Sequence, residues 1–248
     1  MRILKDSGNY QKNRAKRNLV LLICLAAVYT IVYLTSFNFL PAPVNMGTWA
    51  AIRVTIYWVL AIAIALSWRQ YRRFDLGMRG ERQVSRILRS SLTDEYYVIN
   101  DLTPPDGYPN YTQEPDTRKR SNIDHIVLAP NGVFVVETKN HRGKITRGRI
   151  NQSSSQAKAN AWKVKTMISE QGSQWSIWVQ PIVVFPKEDR DSPFPRIKDV
   201  EVTSFEKLPA LIRTYTKGNY RFSNNELEKM GETILSMHTE YPSRFLGS

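Results

Sequence analysis

The stretch NIDHIVLAPNGVFVVETKNHRGKI, residues 122–145, decides how the chain folds. Two runs rich in β-branched residues, at 123–129 and 133–139, flank Pro130-Asn131-Gly132, which is a turn signal. Alternating apolar runs on either side of such a turn predict two antiparallel strands. The chain is therefore expected to form a β-hairpin here.

Three ionisable residues interrupt this apolar hairpin. Glu137 and Lys139 are two positions apart, so they point to the same face of their strand, roughly 6–7 Å apart, and Asp124 enters at the start of the neighbouring strand. Two converging carboxylates can hold Mg²⁺, and a nearby lysine can orient water and stabilise charge in a transition state. The alternative is a half-buried salt bridge between Glu137 and Lys139 that has only a structural role.

The residues around this hairpin resemble a known family. The resemblance is to the NERD (nuclease-related) domain, a branch of the PD-(D/E)xK restriction-endonuclease-like superfamily, and it covers about residues 74–168. Its motifs, in order, are GMRGE at 77–81, YVINDL at 97–102, NIDH at 122–125, NGVFVVETKN at 131–140, GKI at 143–145 and Gln156. The fold implied is α/β, a restriction-endonuclease-like mixed sheet flanked by helices.

The resemblance also implies which residues form the site. It makes Asp124, Glu137 and Lys139 the catalytic core, with Glu81 and Gln156 as accessory residues. Asp124, Glu137 and Glu81 would be ligands of Mg²⁺ or Mn²⁺. Spacing alone would also allow Glu81 to complement a helix dipole and Gln156 to be a solvated amide.

Two features depart from the family pattern and leave the substrate open. The loop at residues 103–121 is long, and Asn151-Gln152 replaces the more usual Asn-Pro. Basic residues stand at the end of this loop and after the second strand, and they are expected to contact nucleic-acid phosphates, although solvated loop positions are the alternative reading. These residues are Arg118, Lys119, Arg120, Arg142 and Lys144.

The charge is distributed unevenly. The 248 residues include 35 Lys and Arg against 22 Asp and Glu, a formal net charge of +13. Residues 1–73 contain many of the basic residues but Asp6 alone among the acidic ones, so the excess says little about DNA binding. Cys24 is the single cysteine, which excludes an intramolecular disulfide and a cysteine-based zinc site.

Two apolar stretches, residues 19–40 and 49–68, are long enough to cross a bilayer core of about 30 Å as helices. Basic residues flank the pair, whereas the connection at 41–48 has no charge, which predicts a transmembrane hairpin with both ends in the cytoplasm. A cleaved signal peptide would be shorter and would not be followed by a second apolar segment. Arg53 can extend towards the headgroups from one end of its span.

The remaining elements follow from periodicity and turn signals. Glu81 falls on the apolar side of a helix at 75–92, and His125 is expected to pack or hydrogen-bond on the face opposite Asp124. The other predictions are strands at 96–101, 177–185 (with Pro181 at a bulge or an edge) and 200–203; a hairpin or bent strand around 141–149; a helix at 151–170 buried through Ala157, Ala161, Val164 and Ile168; a capped short helix at 204–208; and a helix at 223–238.

The domain prediction is a membrane anchor at 1–73 and a nuclease-like domain at 74–248, with a core at 74–185 and a C-terminal helical extension. The functional prediction is a metal-dependent nuclease held at the inner (plasma) membrane, multi-pass, acting on cytoplasmic DNA or RNA. Its partners would be nucleic acid and, through residues 19–68, the lipid bilayer. A catalytically inactive module that binds nucleic acid or a protein at the membrane is the alternative.

Overall fold

A computed structural model describes residues 1–5, 9–38, 46–105, 122–140, 145–170, 177–186, 194–195, 197–217 and 220–237. Within these ranges, the side chains at 9–16, 32–34, 36–38, 46–50, 52–53 and 170 are not described. The chain divides into two compact units, one made of Met1–Gly8 with Arg79–Ser248 and the other of Asn9–Met78.

The first unit contains a mixed sheet whose six described strands lie in chain order, β1 to β6. The β2–β3 and β3–β4 pairs are antiparallel, whereas the β1–β2, β4–β5 and β5–β6 pairs are parallel. This arrangement confirms the predicted mixed α/β sheet flanked by helices. The strands are β1 Arg2–Lys5, β2 Tyr97–Leu102, β3 Ile123–Ala129, β4 Gly132–Thr138, β5 Val179–Phe185 and β6 Glu201–Ser204.

The described helices are α1 Asn9–Asn38, α2 Met46–Ser91, α3 Arg147–Glu170, α4 Leu208–Thr214 and α5 Asn224–Ser236. One face of the sheet packs on α3 and α5, through side chains such as Val135, Val164 and Met230. The other face packs on the last turns of α2 and on α4, through side chains such as Val84, Phe134 and Leu208. Burial of both faces explains why β3, β4 and β5 are almost continuously apolar.

The predicted hairpin is confirmed, with Ala129 of β3 paired with Gly132 of β4 across the turn. Asn131 in the turn donates from Nδ2 to the carbonyl oxygens of Ile212 at 2.7 Å and Tyr215 at 2.9 Å. These bonds tie the turn to the end of α4. The hairpin is thus held at its closed end, and Asp124 lies at its open end.

Helix α3 buries the predicted stripe, but it begins at Arg147, whereas the sequence indicated a hairpin or bent strand through 149. Pro181 was expected at a bulge or an edge, yet β5 is an internal strand. The pairing with β6 starts only at Ile182, so the missing N–H of Pro181 costs no bond on that side.

The C-terminal elements agree with the sequence in kind but differ in detail. The capped short helix predicted at 204–208 lies further along the chain: α4 starts at Leu208, and its N-cap, Lys207, makes no side-chain capping bond. Helix α5 starts where it was predicted, after its N-cap Ser223, and Ser223 and Glu226 exchange hydrogen bonds in a capping box. Strand β1 was not predicted at all.

The second unit contains α1 and the first part of α2, and within it Tyr29 and Tyr57 meet edge to face with ring centroids 5.6 Å apart. The sequence predicted separate helices at 49–68 and 75–92, but α2 is one helix from Met46 to Ser91. As far as the helices are described, none is long and apolar enough to cross a membrane. The transmembrane hairpin expected at 19–40 and 49–68 is therefore not supported, and the membrane location stays a prediction.

Candidate functional site

The candidate site begins with two carboxylates at the open end of the β3–β4 hairpin. His125 pairs with Val136, so the same register, extended by one residue, places Asp124 opposite Glu137. Directly opposite residues of an antiparallel pair lie on the same face. The Thr138 backbone N–H donates to Asp124 Oδ2 at 2.7 Å, which fixes the Asp124 carboxylate against the neighbouring strand.

Lys139 completes the central group one residue beyond β4. Its Nζ donates to Glu137 Oε1 at 2.6 Å and to Gln156 Oε1 at 3.0 Å. Glu137 is buried, with 2% of its side chain exposed, whereas Lys139 keeps 20% exposed. The Lys139 backbone is held as well, because its N–H donates to the Val184 carbonyl at 2.9 Å. The site therefore has a buried carboxylate with a partly accessible ammonium group next to it.

Helix α3 supplies two amides that hold this pair. Asn160, which is 1% exposed, donates from Nδ2 to Glu137 Oε2 at 3.2 Å. Gln156 lies one helical turn earlier and accepts from Lys139, so the two amides share a helix face. Gln156 was predicted as an accessory residue from the sequence, whereas Asn160 was not assigned a role. The sequence signal that could have identified Asn160 is its position as a polar residue next to the buried apolar stripe of α3.

Glu81 reaches the site from α2. A methyl group added to Gly80 would lie 2.6 Å from Asn140 Cβ, so a glycine at this position lets the helix approach the end of β4 closely. Glu81 itself is 8% exposed and interacts electrostatically with Asp101, Glu137 and Lys139. The structure thus brings Glu81 into the same electrostatic neighbourhood as the residues of the hairpin.

Asp101 is an acidic residue of this region that sequence analysis did not assign. It lies between Asn100, which pairs with His125, and Leu102, which pairs with Ile123, so it stands across from Asp124 on the other side of β3. Its φ of 51° is in the left-handed region, which Asp tolerates better than most residues. The Asn122 Nδ2 donates to Asp101 Oδ1 at 2.8 Å.

Burial and neighbouring charges shift the pKa values of the three carboxylates. Burial, then the Asp101 and Glu137 charges, raises the pKa of Glu81 to about 8. Burial, followed by repulsion from Glu137 and Glu81, raises the pKa of Asp124 well above its usual range. Burial also raises the pKa of Glu137, although Lys139 opposes the shift. Burial alone would lower the pKa of Lys139, but the Glu137, Asp124 and Glu81 carboxylates together outweigh it and the net shift is upward.

The donor set fits a hard divalent cation, because carboxylate oxygens are the ligands that Mg²⁺ takes in proteins. A bound cation would also stabilise the charged form of these crowded carboxylates, whose pKa values are raised in its absence. In the part of the chain that the structure describes, however, no group of three His, Cys, Asp or Glu side chains stands ready to hold a metal ion. Lys139 and Asn160 already occupy the two oxygens of Glu137. Metal ligation by Asp124, Glu137 and Glu81 stays a prediction.

His125 lies on the face opposite Asp124, as expected, and is fully buried. Its Nδ1 is 2.7 Å from Asn100 Oδ1, and its Nε2 has no hydrogen-bond partner. Burial lowers the pKa of His125 to about 3, so the ring is neutral. This agrees with a packing and hydrogen-bonding role.

The basic residues proposed to contact nucleic acid cannot be placed. All five, Arg118, Lys119, Arg120, Arg142 and Lys144, lie outside the described residues. Arg147 and Arg149, which follow them in the sequence, form part of the first turn of α3 and are exposed. The contact with phosphates predicted for the five stays a prediction.

Comparison with known proteins identifies the region of the chain that contains this site. Residues 76–186 match the nuclease-related domain, and they include Asp124, Glu137, Lys139, Glu81 and Gln156. An uncharacterized protein of Bacillus anthracis is 29% identical over 178 residues, which cover 64% of this chain and 75% of that protein. No solved structure matches the chain. The domain match indicates a nuclease-like function, and residues 76–186 of this chain form a nuclease-related (NERD) domain.

Proposed function

We propose that this domain hydrolyses phosphodiester bonds of nucleic acid with the help of Mg²⁺ or Mn²⁺, and that DNA is its main substrate. The observation that carries the proposal is the placement of Asp124 across from Glu137 at the open end of one hairpin, with Lys139 hydrogen-bonded both to Glu137 and to Gln156 of α3. It combines crowded carboxylates with a partly accessible ammonium group, which are groups that can bind a divalent cation and stabilise charge during phosphodiester hydrolysis. The match to the nuclease-related domain supports the same chemistry.

Each residue has a distinct role in the proposed reaction. Asp124 and Glu137 would hold the cation, with Glu81 close enough to interact with both charges. A bound divalent cation would neutralise the charge that develops on the phosphoryl oxygens. Lys139 would orient the attacking water and stabilise the transition state through its ammonium group, which its raised pKa keeps protonated at neutral pH.

Helix α3 would keep these groups in place through the reaction. Gln156 holds the Lys139 ammonium group from one side while Glu137 holds it from the other. Asn160 fixes the second oxygen of Glu137, so that carboxylate has little rotational freedom. Such preorganisation lowers the cost of assembling the transition state.

A second candidate function is supported by a specific observation. The 2.6 Å ion pair between Glu137 and Lys139 neutralises both groups, and the described residues contain no ready group of three metal-binding side chains. A nuclease-like domain with such a closed pair could bind nucleic acid without cutting it. The two functions differ in one measurable property, which is cleavage that depends on a divalent cation.

The test is incubation of the purified full chain with supercoiled DNA, linear DNA, single-stranded DNA and single-stranded RNA. Each substrate is combined with Mg²⁺, with Mn²⁺ or with a chelator. The proposal expects cleavage with either cation and none with the chelator, and greater activity on DNA than on RNA. Lys139→Ala purified in parallel should be inactive, which excludes a contaminating nuclease, while Lys229→Ala, an exposed lysine on α5, should be as active as the wild type.

Two results would contradict the proposal. Binding of these substrates without cleavage under any cation would favour the non-cleaving module. Equal cleavage by wild type and Lys139→Ala would mean that the activity does not come from this site.

A further inference from the structure

The N-terminal strand β1 belongs to the same sheet as the candidate site. It pairs in parallel with β2, with Arg2 opposite Tyr97, Ile3 opposite Val98 and Lys5 opposite Ile99. The register therefore skips Leu4. A strand from the beginning of the chain thus lies along the strand that leads to Asp101.

Leu4, the skipped residue, anchors the strand. Its side chain packs with the core on the α5 side of the sheet. Any methyl group added to Gly231 of α5 would overlap Leu4 Cδ1, so a glycine at that position provides the space for Leu4. The irregularity in the pairing therefore coincides with the contact between Leu4 and Gly231. Because Leu4 is skipped, Lys5 is the residue that lies beside the end of β2.

Lys5 bonds to two successive residues of β2. Its Nζ donates to the Asp101 carbonyl at 2.6 Å, and its own carbonyl accepts from Asn100 Nδ2 at 3.1 Å. Asp101 has the left-handed backbone noted above, a conformation that costs a non-glycine residue of the order of 1 kcal/mol or more. A charged donor on its carbonyl helps to offset that cost.

Asn100 and Asp101 also form hydrogen bonds with residues on either side of Asp124. Asn100 Oδ1 is 2.7 Å from His125 Nδ1, and His125 is the residue after Asp124. On the other side, Asn122 donates to the Asp101 carboxylate and accepts from Thr103 Oγ1 at 3.2 Å. The residues before and after the Ile123-Asp124 pair are therefore both bonded to the Asn100–Asp101 end of β2.

We propose that Lys5 is a positioning residue of the nuclease-like site, holding the Asn100–Asp101 end of β2 in the conformation that supports Asp124. This inference rests on the proposed function for its effect on cleavage. The structural link between Lys5 and the Asn100–Asp101 end of β2 does not depend on the proposed function and can be measured separately. Arg2 offers a matched comparison, because it also contacts β2, donating to Tyr97 Oη at 3.2 Å, but at the end of the strand away from Asp101.

The experiment compares the full-length wild type with Lys5→Ala, Lys5→Arg and Arg2→Ala. In cleavage assays, Lys5→Ala should lower kcat roughly 10- to 100-fold, since small displacements of catalytic groups have effects of that size, with little change in KM. Lys5→Arg should recover most of the loss, because it can still donate to the Asp101 carbonyl. Arg2→Ala should leave kcat unchanged while destabilising β1 to a similar extent, as judged by the thermal transition.

Hydrogen exchange of the backbone amides separates this inference from the proposed function. Lys5→Ala should speed exchange at 100–102 and 123–125, and Arg2→Ala should speed it mainly around 97. If wild type cleaves no substrate but these patterns appear, the proposed function fails and the Lys5 link stands. If Lys5→Ala and Arg2→Ala alter exchange and kcat equally, or Lys5→Ala alters neither, Lys5 is not a positioning residue.

Discussion

Lys139 Nζ lies 2.6 Å from Glu137 Oε1, although Glu137 is almost entirely buried and Lys139 is partly exposed. A buried carboxylate without such a partner would carry a large desolvation penalty. The pair can therefore be explained by stability alone, and it also holds an ammonium group next to Asp124. Stability and proposed catalysis are therefore coupled at this site.

Asn160 should matter for stability, because it is the second donor to Glu137. Asn160→Ala leaves Glu137 Oε2 buried without that bond, and we expect the free energy of unfolding to fall by about 1–3 kcal/mol. Chemical denaturation measures the change. Asn151→Ala, at an exposed position of the same helix, is the matched control and should change stability by no more than about 0.5 kcal/mol. Equal effects from both variants would show that the Asn160 bond contributes nothing.

Gly80 should resist substitution because of the close approach between α2 and the end of β4. Gly80→Ala places a methyl group 2.6 Å from Asn140 Cβ, and we expect a destabilisation of about 1–3 kcal/mol from overpacking. A methyl group on Gly77, in the same helix, meets nothing within 4 Å. Gly77→Ala should therefore stabilise the chain by up to about 1 kcal/mol through helix propensity. Unfolding curves in which Gly80→Ala is as stable as Gly77→Ala would contradict the packing described.

Stability should depend on pH through Glu81 when no divalent cation is present. The pKa of Glu81 is raised from 4.5 to about 8, so between these values the folded chain keeps a proton that the unfolded chain releases. Its contribution to stability is fully present below pH 4.5 and is lost as the pH rises towards 8. Glu81→Gln cannot lose a proton, so its stability relative to wild type should increase over that window.

Unfolding free energies of wild type and Glu81→Gln, measured from pH 4.5 to 8.5 with a chelator present, test this prediction. Glu228→Gln, an exposed carboxylate on α5, is the control for removing one negative charge. A difference between Glu81→Gln and wild type that stays constant over the range would mean that Glu81 is not the buried, crowded carboxylate described.

The elements predicted well from sequence are those whose signal is local. The β3–β4 hairpin follows from two apolar runs around Pro130-Asn131-Gly132, and the buried face of α3 follows from its helical spacing. Asp124, Glu137 and Lys139 could be identified because charged residues stand out in an apolar hairpin. Their mutual placement follows from strand alternation and from register.

The parts that were missed depend on contacts between distant segments. Strand β1 has four residues and pairs with residues more than ninety positions later, so nothing in its own sequence marks it as a strand. Asn160 acquires its role only when α3 packs beside β4. Asp101 needs both the register of β2 with β3 and a left-handed backbone, neither of which a single sequence reveals.

The central claim is that Asp124 and Glu137 bind a divalent cation whereas Lys139 acts on the transition state. The decisive measurement pairs Mn²⁺ titration calorimetry with cleavage rates for wild type, Asp124→Asn, Glu137→Gln and Lys139→Ala. The account predicts that the two carboxylate variants lose both properties. Lys139→Ala should bind Mn²⁺ as well as wild type or slightly more tightly, because a neighbouring positive charge is gone, yet lose roughly 10²–10³-fold in kcat. If wild type binds no Mn²⁺ and all three variants behave like it, Glu137 and Lys139 form a structural ion pair and the account is wrong.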